Sequence, residues 1–422
     1  MDCVTTVCYN INMKVWIRYL IGIVFGVVAA LILPWNNATG SSIITFITEV
    51  CIQFGRYLVV PLVFCTAIVS VNKLRISNIV GKTALWTFSI IVVTSFLLTL
   101  LGLVSVGVVK LPRIPPTGIE EAADISAINI GTMIKALFPA SAFSSLANGG
   151  YLLVCFFFAM LIGWFCYSDQ NTFKPVYTLA DSLSHLFFKI SSFFSDVLCI
   201  LVIALMCYWT IQFKGTLQKG IFGPMIALFT VDFIIIIGVI YPLAIRYLCR
   251  EQHPYKIIYA SLAPMFMGFI SGDANFTLPI LIRHGKDSLG IRRRSGGSVL
   301  PIFSIFARGG SSLVATVSFV IIWRSYSSLS LPFSDIISIF FLSFALSFFL
   351  GNVPSGGAFI LLTILCQKFG KGFETSYNLL APALVVISSF STLIDTATAM
   401  VGTYIVADKT NMAEHRQVFR FI

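Results

Sequence analysis

Long apolar runs separated by short polar clusters fill most of this chain. Eight of them have about the 20-residue length that crosses a bilayer: 15–34, 43–71, 83–110, 151–168, 176–208, 221–248, 295–324 and 376–407. Several are longer than needed and are expected to tilt. Polarity does not alternate along them, which excludes a membrane β-barrel. In hydrocarbon the remaining way to satisfy every backbone group is the helix. The pattern therefore predicts an all-α polytopic membrane protein.

Two further apolar segments, 256–291 and 334–371, are each interrupted near the middle. The first break reads SGDANFTLP from Ser271 to Pro279, and the second reads GNVPSGG from Gly351 to Gly357. Glycine and proline in mid-run stop a helix. The arms on either side have about 15 residues, too few to cross a bilayer but enough for one limb of a re-entrant helical hairpin. Irregular backbone at membrane depth survives where it lines a cavity, and paired interrupted segments point to a transport site. Two ordinary proline-kinked spans are the plainer alternative. Residues 111–150, with Pro112, Pro115, Pro116, Glu120, Glu121 and Asp124, read as an extramembrane loop with a short re-entry helix.

Composition agrees with this outline. Only 11% of the 422 residues are charged and 57% are hydrophobic, against about 25% charged in a soluble domain. The net charge of +11 could suggest nucleic acid, but the basic residues sit in short clusters beside the spans. Lys73, Arg75 and Lys82 form one such cluster and Arg292, Arg293 and Arg294 another, as the positive-inside rule predicts for cytoplasmic loops. A bilayer is the expected partner and nucleic acid is not. The ten cysteines show no C-x-x-C pair and the four histidines are scattered, so neither a disulfide framework nor a metal site is expected. Val15 to Pro34 is long enough to be a first helix rather than a signal peptide. No nucleophile–base pair or paired carboxylate marks an enzyme. Asp232 is an acid inside the sixth span, expected to be paired or to face water.

Several strings resemble one family. RYLVVPLVF from Arg56 to Phe64 resembles its K-x-LVVPLVF run. ALFPASAF from Ala136 and LANG from Leu146 resemble P-x-N-x-F…LANG. TLP from Thr277 to Pro279 resembles the end of SSS-x-TLP, VPSGGA from Val353 to Ala358 resembles GVPGAGA, and GTYIVA from Gly402 to Ala407 resembles GTAIVA. In order and spacing, over about 15–407, the chain resembles a divergent member of the dicarboxylate/amino acid:cation symporters of the glutamate-transporter type.

The resemblance implies eight transmembrane helices plus two opposed re-entrant hairpins, assembled as a homotrimer in the plasma membrane, or the inner membrane of a bacterium. After a tail at 1–14, residues 15–80 (spans one and two) and 151–220 (spans four and five) would form a scaffold. Span three at 83–110 and residues 221–407, with hairpins 256–291 and 334–371, would form a transport domain that moves like an elevator. A cytoplasmic tail would follow at 408–422. The implied function is secondary active transport of small-molecule anions, dicarboxylates or amino acids, with no cofactor besides a coupling sodium ion or proton. A non-transporting ligand receptor and an anion channel on the same fold are the alternatives.

Carried over by position, the resemblance places substrate at Asp273, Ala274, Asn275, Thr277, Arg308, Ser311, Val353, Pro354, Gly357, Ser391, Thr392 and Asp395. It places cations at Thr94, Ser95, Ala307, Gly309, Ser388 and Asp395. The chain departs from the family's NMDGT string, reading ARGGS from Ala307 to Ser311. Two carboxylates that would bind sodium are replaced, by Gly309 and Ala399, and hard cations need such oxygens. The arginine that meets an acidic side chain is absent at Ser391 and at Gly272. Arg308 and Asp395 appear instead. Either they form a static pair, or Arg308 receives an anionic group while Asp395 holds an amine, a cation or a proton.

Overall fold

The computed structural model describes residues 14–32, 38–109, 112–114, 141, 152–169, 171–218, 220–326, 332–353, 355–370 and 376–414. Most of the expected loop at 111–150, most of both termini and Pro354 lie outside these residues. Among the described residues every regular element is a helix.

Seven stretches of the described residues are long and apolar enough to cross a membrane. The chain opens with α1 (Val15–Ile32), α2 (Ala38–Arg56), α3 (Val59–Ile76) and α4 (Val80–Val108). The expected span 43–71 is thus two helices meeting at Tyr57 and Leu58. Pro61 explains the join. Without an N–H it cannot bond the Tyr57 carbonyl, and its ring clashes with that carbonyl, so the helix breaks there and restarts with Pro61 in its first turn. The span expected at 151–168 is α5 (Leu152–Phe165), only 14 residues long. By contrast α6 (Lys174–Gln218) runs for 45 residues, well beyond the expected 176–208. The sixth span holds α7 (Gly223–Ile235), a π-turn at Ile236–Ile240 and α8 (Tyr241–Cys249).

Both interrupted segments are helix–break–helix. After a short α9 (Tyr255–Ala260), the first contains α10 (Leu262–Ser271) and α11 (Ala274–Asp287). The break is only Gly272 and Asp273, with Gly272 left-handed at φ 61°, and α11 runs through Pro279 instead of stopping there. The span at 295–324 is also broken, into α12 (Arg293–Phe306) and α13 (Gly309–Tyr326), with Ala307 and Arg308 between them. The second interrupted segment has α14 (Phe333–Ser347), a 3₁₀ turn at Leu350–Asn352 and α15 (Gly357–Phe369), entered through Gly356 at φ 69°. A 3₁₀ turn at Ser376–Ala383 leads into α16 (Leu384–Lys409).

Helices α12, α13 and α16 form the buried centre, with α16 packed on the other two and the three together on α3, α4, α10 and α15. Outside it, α1 lies along α6. Methyl groups added at Gly22 and Gly26 would come 2.8 Å from the Cys199 carbonyl and 2.6 Å from that of Ile203, so the pair is a close-packing contact. Phe25, Leu31, Leu85, Phe88, Val108 and Ile234 are exposed on the outer helices. Large apolar side chains facing outward from helices of spanning length are the mark of an integral membrane protein. The cysteines among the described residues are free thiols, and most are buried.

Candidate functional site

Three broken helical segments and α16 meet at one place. The two tips touch, since Asp273 and Ser355 form an isolated antiparallel bridge. Val353, beside the second break, accepts from Arg308 Nη2 at 3.5 Å. Gly357, at the start of α15, stands beside Ser311 of α13. Gly272 stands beside Ser388 of α16. Breaks far apart in sequence thus gather exposed helix ends around Arg308 and Asp395.

Asp395 works as a cap on another helix. Its Oδ1 accepts from the backbone N–H groups of Gly310 at 2.7 Å and Ser311 at 3.2 Å, and its Oδ2 from Ser311 Oγ at 2.7 Å. The first N–H groups of a helix have no partner of their own and carry positive partial charge, so α13 is a natural seat for a carboxylate. Glycine is required there. A methyl group at Gly310 would come 2.8 Å from Asp395 Oδ1 and 2.6 Å from Ile394 Cβ. Asp273 caps α11 in the same way, its Oδ1 accepting from Asn275 N at 2.8 Å and Phe276 N at 3.0 Å. The α15 N-terminus differs, because Gly356 offers no side-chain cap.

Arg308 is 3% exposed and lies in the non-helical link before α13. Its Nη1 is 3.8 Å from Asp395 Oδ2, an ion pair rather than a short hydrogen bond. Its Nε has no partner among the described residues. A buried guanidinium left with one weak hydrogen bond is a costly group, and its Nε–Nη2 edge is the fork that grips a carboxylate.

The other carried-over residues divide. Thr277 Oγ1 donates to the Ala274 carbonyl at 2.8 Å, and Ser391 Oγ to that of Ser388 at 2.9 Å, while Thr392 Oγ1 also turns back onto Ser388. Asn275 is buried beside the first tip and Pro354 is not described. Of the cation positions, Thr94 Oγ1 donates to its own helix at Ile90, 2.7 Å away. Ser95 Oγ and Ser388 Oγ are buried without partners among the described residues.

Sequence reasoning missed Arg56. The last residue of α2, it forms an ion pair with the fully buried Asp273 carboxylate and donates to Ser355 Oγ at 3.5 Å. A basic residue closing a helix immediately ahead of a Val-Val-Pro join was the available signal. Asp232 departs from expectation. It is 0% exposed, so it does not face water, and Ser105 Oγ donates to its Oδ2 at 2.9 Å. Its Oδ1 has no partner among the described residues.

The whole helical part of the chain matches one family. A profile described as the sodium:dicarboxylate symporter family covers residues 15–409. The chain belongs to the sodium:dicarboxylate symporter family. Similar members include the neutral amino acid transporter B(0) of Oryctolagus cuniculus, 29% identical over 121 residues, which are 29% of this chain and 22% of that protein. The chain's match therefore spans about a fifth of that relative's length. The C4-dicarboxylate transport protein of Dechloromonas aromatica is 28% identical over 148 residues, a third of each chain. The serine/threonine transporter SstT of Lacticaseibacillus paracasei is 21% identical over 402 residues, 91% of this chain and 88% of that one.

Sodium, the cation in this symporter family's description, is held by hard oxygen donors, and a carboxylate among them must be free to face it. Neither carboxylate at the carried-over positions is free. Asp395 is filled by three donors with Arg308 beside it, and Asp273 by two amides and Arg56. Position 309 is closed as well, since a methyl group there would come 2.9 Å from both Ser95 Cα and Leu98 Cδ1. At Asp395 the residues of this symporter-family chain do not fit a sodium ion.

Proposed function

We propose that this chain is a secondary transporter for small carboxylate-bearing solutes, amino acids or dicarboxylates, working by alternating access. The observation that carries this reading is Arg308, a buried guanidinium whose Nε has no partner among the described residues and whose Nη2 makes one 3.5 Å bond, where three broken segments meet. Two of the three helix N-termini at that place already hold a chain carboxylate. The third, at Gly357, has none. A solute carboxylate seated on the Gly357 and Ala358 amides and on the Nε side of Arg308 satisfies both. Carboxylates are what the names of the dicarboxylate and amino acid relatives have in common.

In this reading 256–291 and 334–371 are re-entrant hairpins that gate opposite sides of the site, and eight spans complete the chain. Residues 83–110 and 221–407 move as one body against a scaffold of 15–80 and 151–220, within a homotrimer. The boundary between the two bodies runs where the first tip meets α2, through the half-exposed Arg56–Asp273 ion pair and Phe276 against Gly55, and where α12 packs on α3.

The test is uptake of labelled serine, aspartate and succinate by liposomes holding the full-length protein. Saturable uptake of at least one solute, lost in Arg308→Ala, is expected. Binding without uptake would establish a receptor instead. Current flowing without any solute gradient would establish an anion channel.

A further inference from the structure

The charges around Asp395 balance without an added ion. Arg308 contributes one positive charge and Asp395 one negative charge, 3.8 Å apart, with both side chains 5% exposed or less. The acceptor positions of Asp395 are taken by Gly310 N, Ser311 N and Ser311 Oγ, and the remaining approach is occupied by Arg308. This contact is built in. Gly310 is the residue that lets the carboxylate reach the backbone, because a methyl group there would collide with Asp395 Oδ1.

The neighbouring position that would bring a second carboxylate is closed by α4 at Ser95 and Leu98, and position 399 is an alanine. Among the described residues no group of three His, Cys, Asp or Glu side chains gathers elsewhere to hold a metal ion. A net charge in a low-dielectric interior is costly, so a buried carboxylate requires a partner. Here the chain itself supplies it.

We infer that Arg308 is a tethered cation that takes the place of the coupling sodium, so that the site accepts zwitterionic amino acids without sodium. This rests on the transport reading above. The substrate class follows from charge. A zwitterion leaves the neutral site neutral. A dicarboxylate dianion brings two negative charges into a place with no free positive charge beyond the guanidinium already shared with Asp395.

The full-length protein in detergent tests the ion directly, with no solute present. Its melting temperature is measured while sodium chloride replaces choline chloride at constant ionic strength. A ligand that binds only the folded state raises that temperature with concentration, so a shift of about 1 °C or less is expected. A sodium-specific rise of about 3 °C or more would overturn the inference.

Arg308→Met leaves Asp395 unbalanced and is expected to gain a sodium-specific rise. Arg308→Lys keeps the charge and is expected to stay insensitive. A folded Arg308→Met that ignores sodium would show that the guanidinium replaces nothing. Should that variant not fold, the wild-type titration decides alone.

Uptake separates this inference from the reading beneath it. Equal serine uptake with sodium or choline outside supports it, and uptake driven about tenfold by sodium, a difference near 1.4 kcal/mol, overturns it while upholding transport. Absence of all uptake alongside a sodium-insensitive melting temperature supports the tethered cation and removes the transport reading.

Discussion

Arg56 at the end of α2 clasps Asp273, the residue that caps α11, although 217 positions separate them in the chain. The same guanidinium reaches Ser355 of the other break at 3.5 Å. One arginine on an outer helix therefore touches both tips over the candidate site. Arg56 is 35% exposed and Asp273 fully buried, so water reaches one partner only. Replacing Arg56 by Gln is expected to cost toward the low end of the roughly 1.5–3 kcal/mol typical of a charge-assisted hydrogen bond. It should also loosen the tips, which a faster maleimide reaction of a cysteine placed at Ser355 would report. An unchanged labelling rate would show that Arg56 holds nothing closed.

Gly310→Ala is expected to be severe for so small a change. Its added methyl would lie 2.6 Å from Ile394 Cβ and 2.8 Å from Asp395 Oδ1. Overpacking of this kind costs about 1–3 kcal/mol and here also displaces a capping carboxylate. Thermal unfolding and uptake should fall together. Gly357→Ala, whose added methyl meets nothing nearer than 3.7 Å, is the control and should melt near the wild type.

Asp395→Asn and Arg308→Gln should each destabilise more than the two changes made together. Removing one member of a buried pair leaves an uncompensated charge, at about 3–5 kcal/mol, whereas removing both leaves a neutral site. A double-mutant cycle on thermal unfolding measures the difference. Additive single effects would mean the 3.8 Å pair is not energetically coupled.

Among the described residues the hydrogen-bond partner of the Asp232 carboxyl is the Ser105 hydroxyl. Asp232→Asn retains an oxygen for that hydroxyl and is expected to leave thermal unfolding nearly unchanged. Ser105→Ala strips the carboxyl of its one donor and should cost about 1–3 kcal/mol. The reverse order of effects would point to a charged partner for Asp232.

Local breakers were legible in the sequence and distant partners were not. The interruptions announced themselves because glycine and proline act within a turn or two, and the helices do break at the left-handed Gly272 and Gly356. Pro279 does not extend the first break, and α11 continues through it, because a lone proline weakens a buried helix without always ending it. Arg308 and Asp395 stood out as charges at membrane depth, and the structure brings them together. That Asp395 would cap α13, or that Arg56 would find Asp273, depends on packing among helices far apart in the chain. No local pattern encodes it.

The length of α6 has a mechanical consequence. Its 45 residues make a rod about 68 Å long, more than twice the roughly 30 Å of a bilayer's hydrocarbon. Its first turns carry Asp181 and Ser184, which meet the basic Lys73 and Arg293, so this end sits in the wet headgroup layer. The stretch from Ser191 to Phe213, ahead of Lys214, measures about 35 Å and still exceeds the hydrocarbon layer, so it leans. A leaning strut turns changes in membrane thickness into changes of angle. A thinner bilayer lays it flatter, a thicker one stands it up, and α1, fastened along it through Gly22 and Gly26, swings with it.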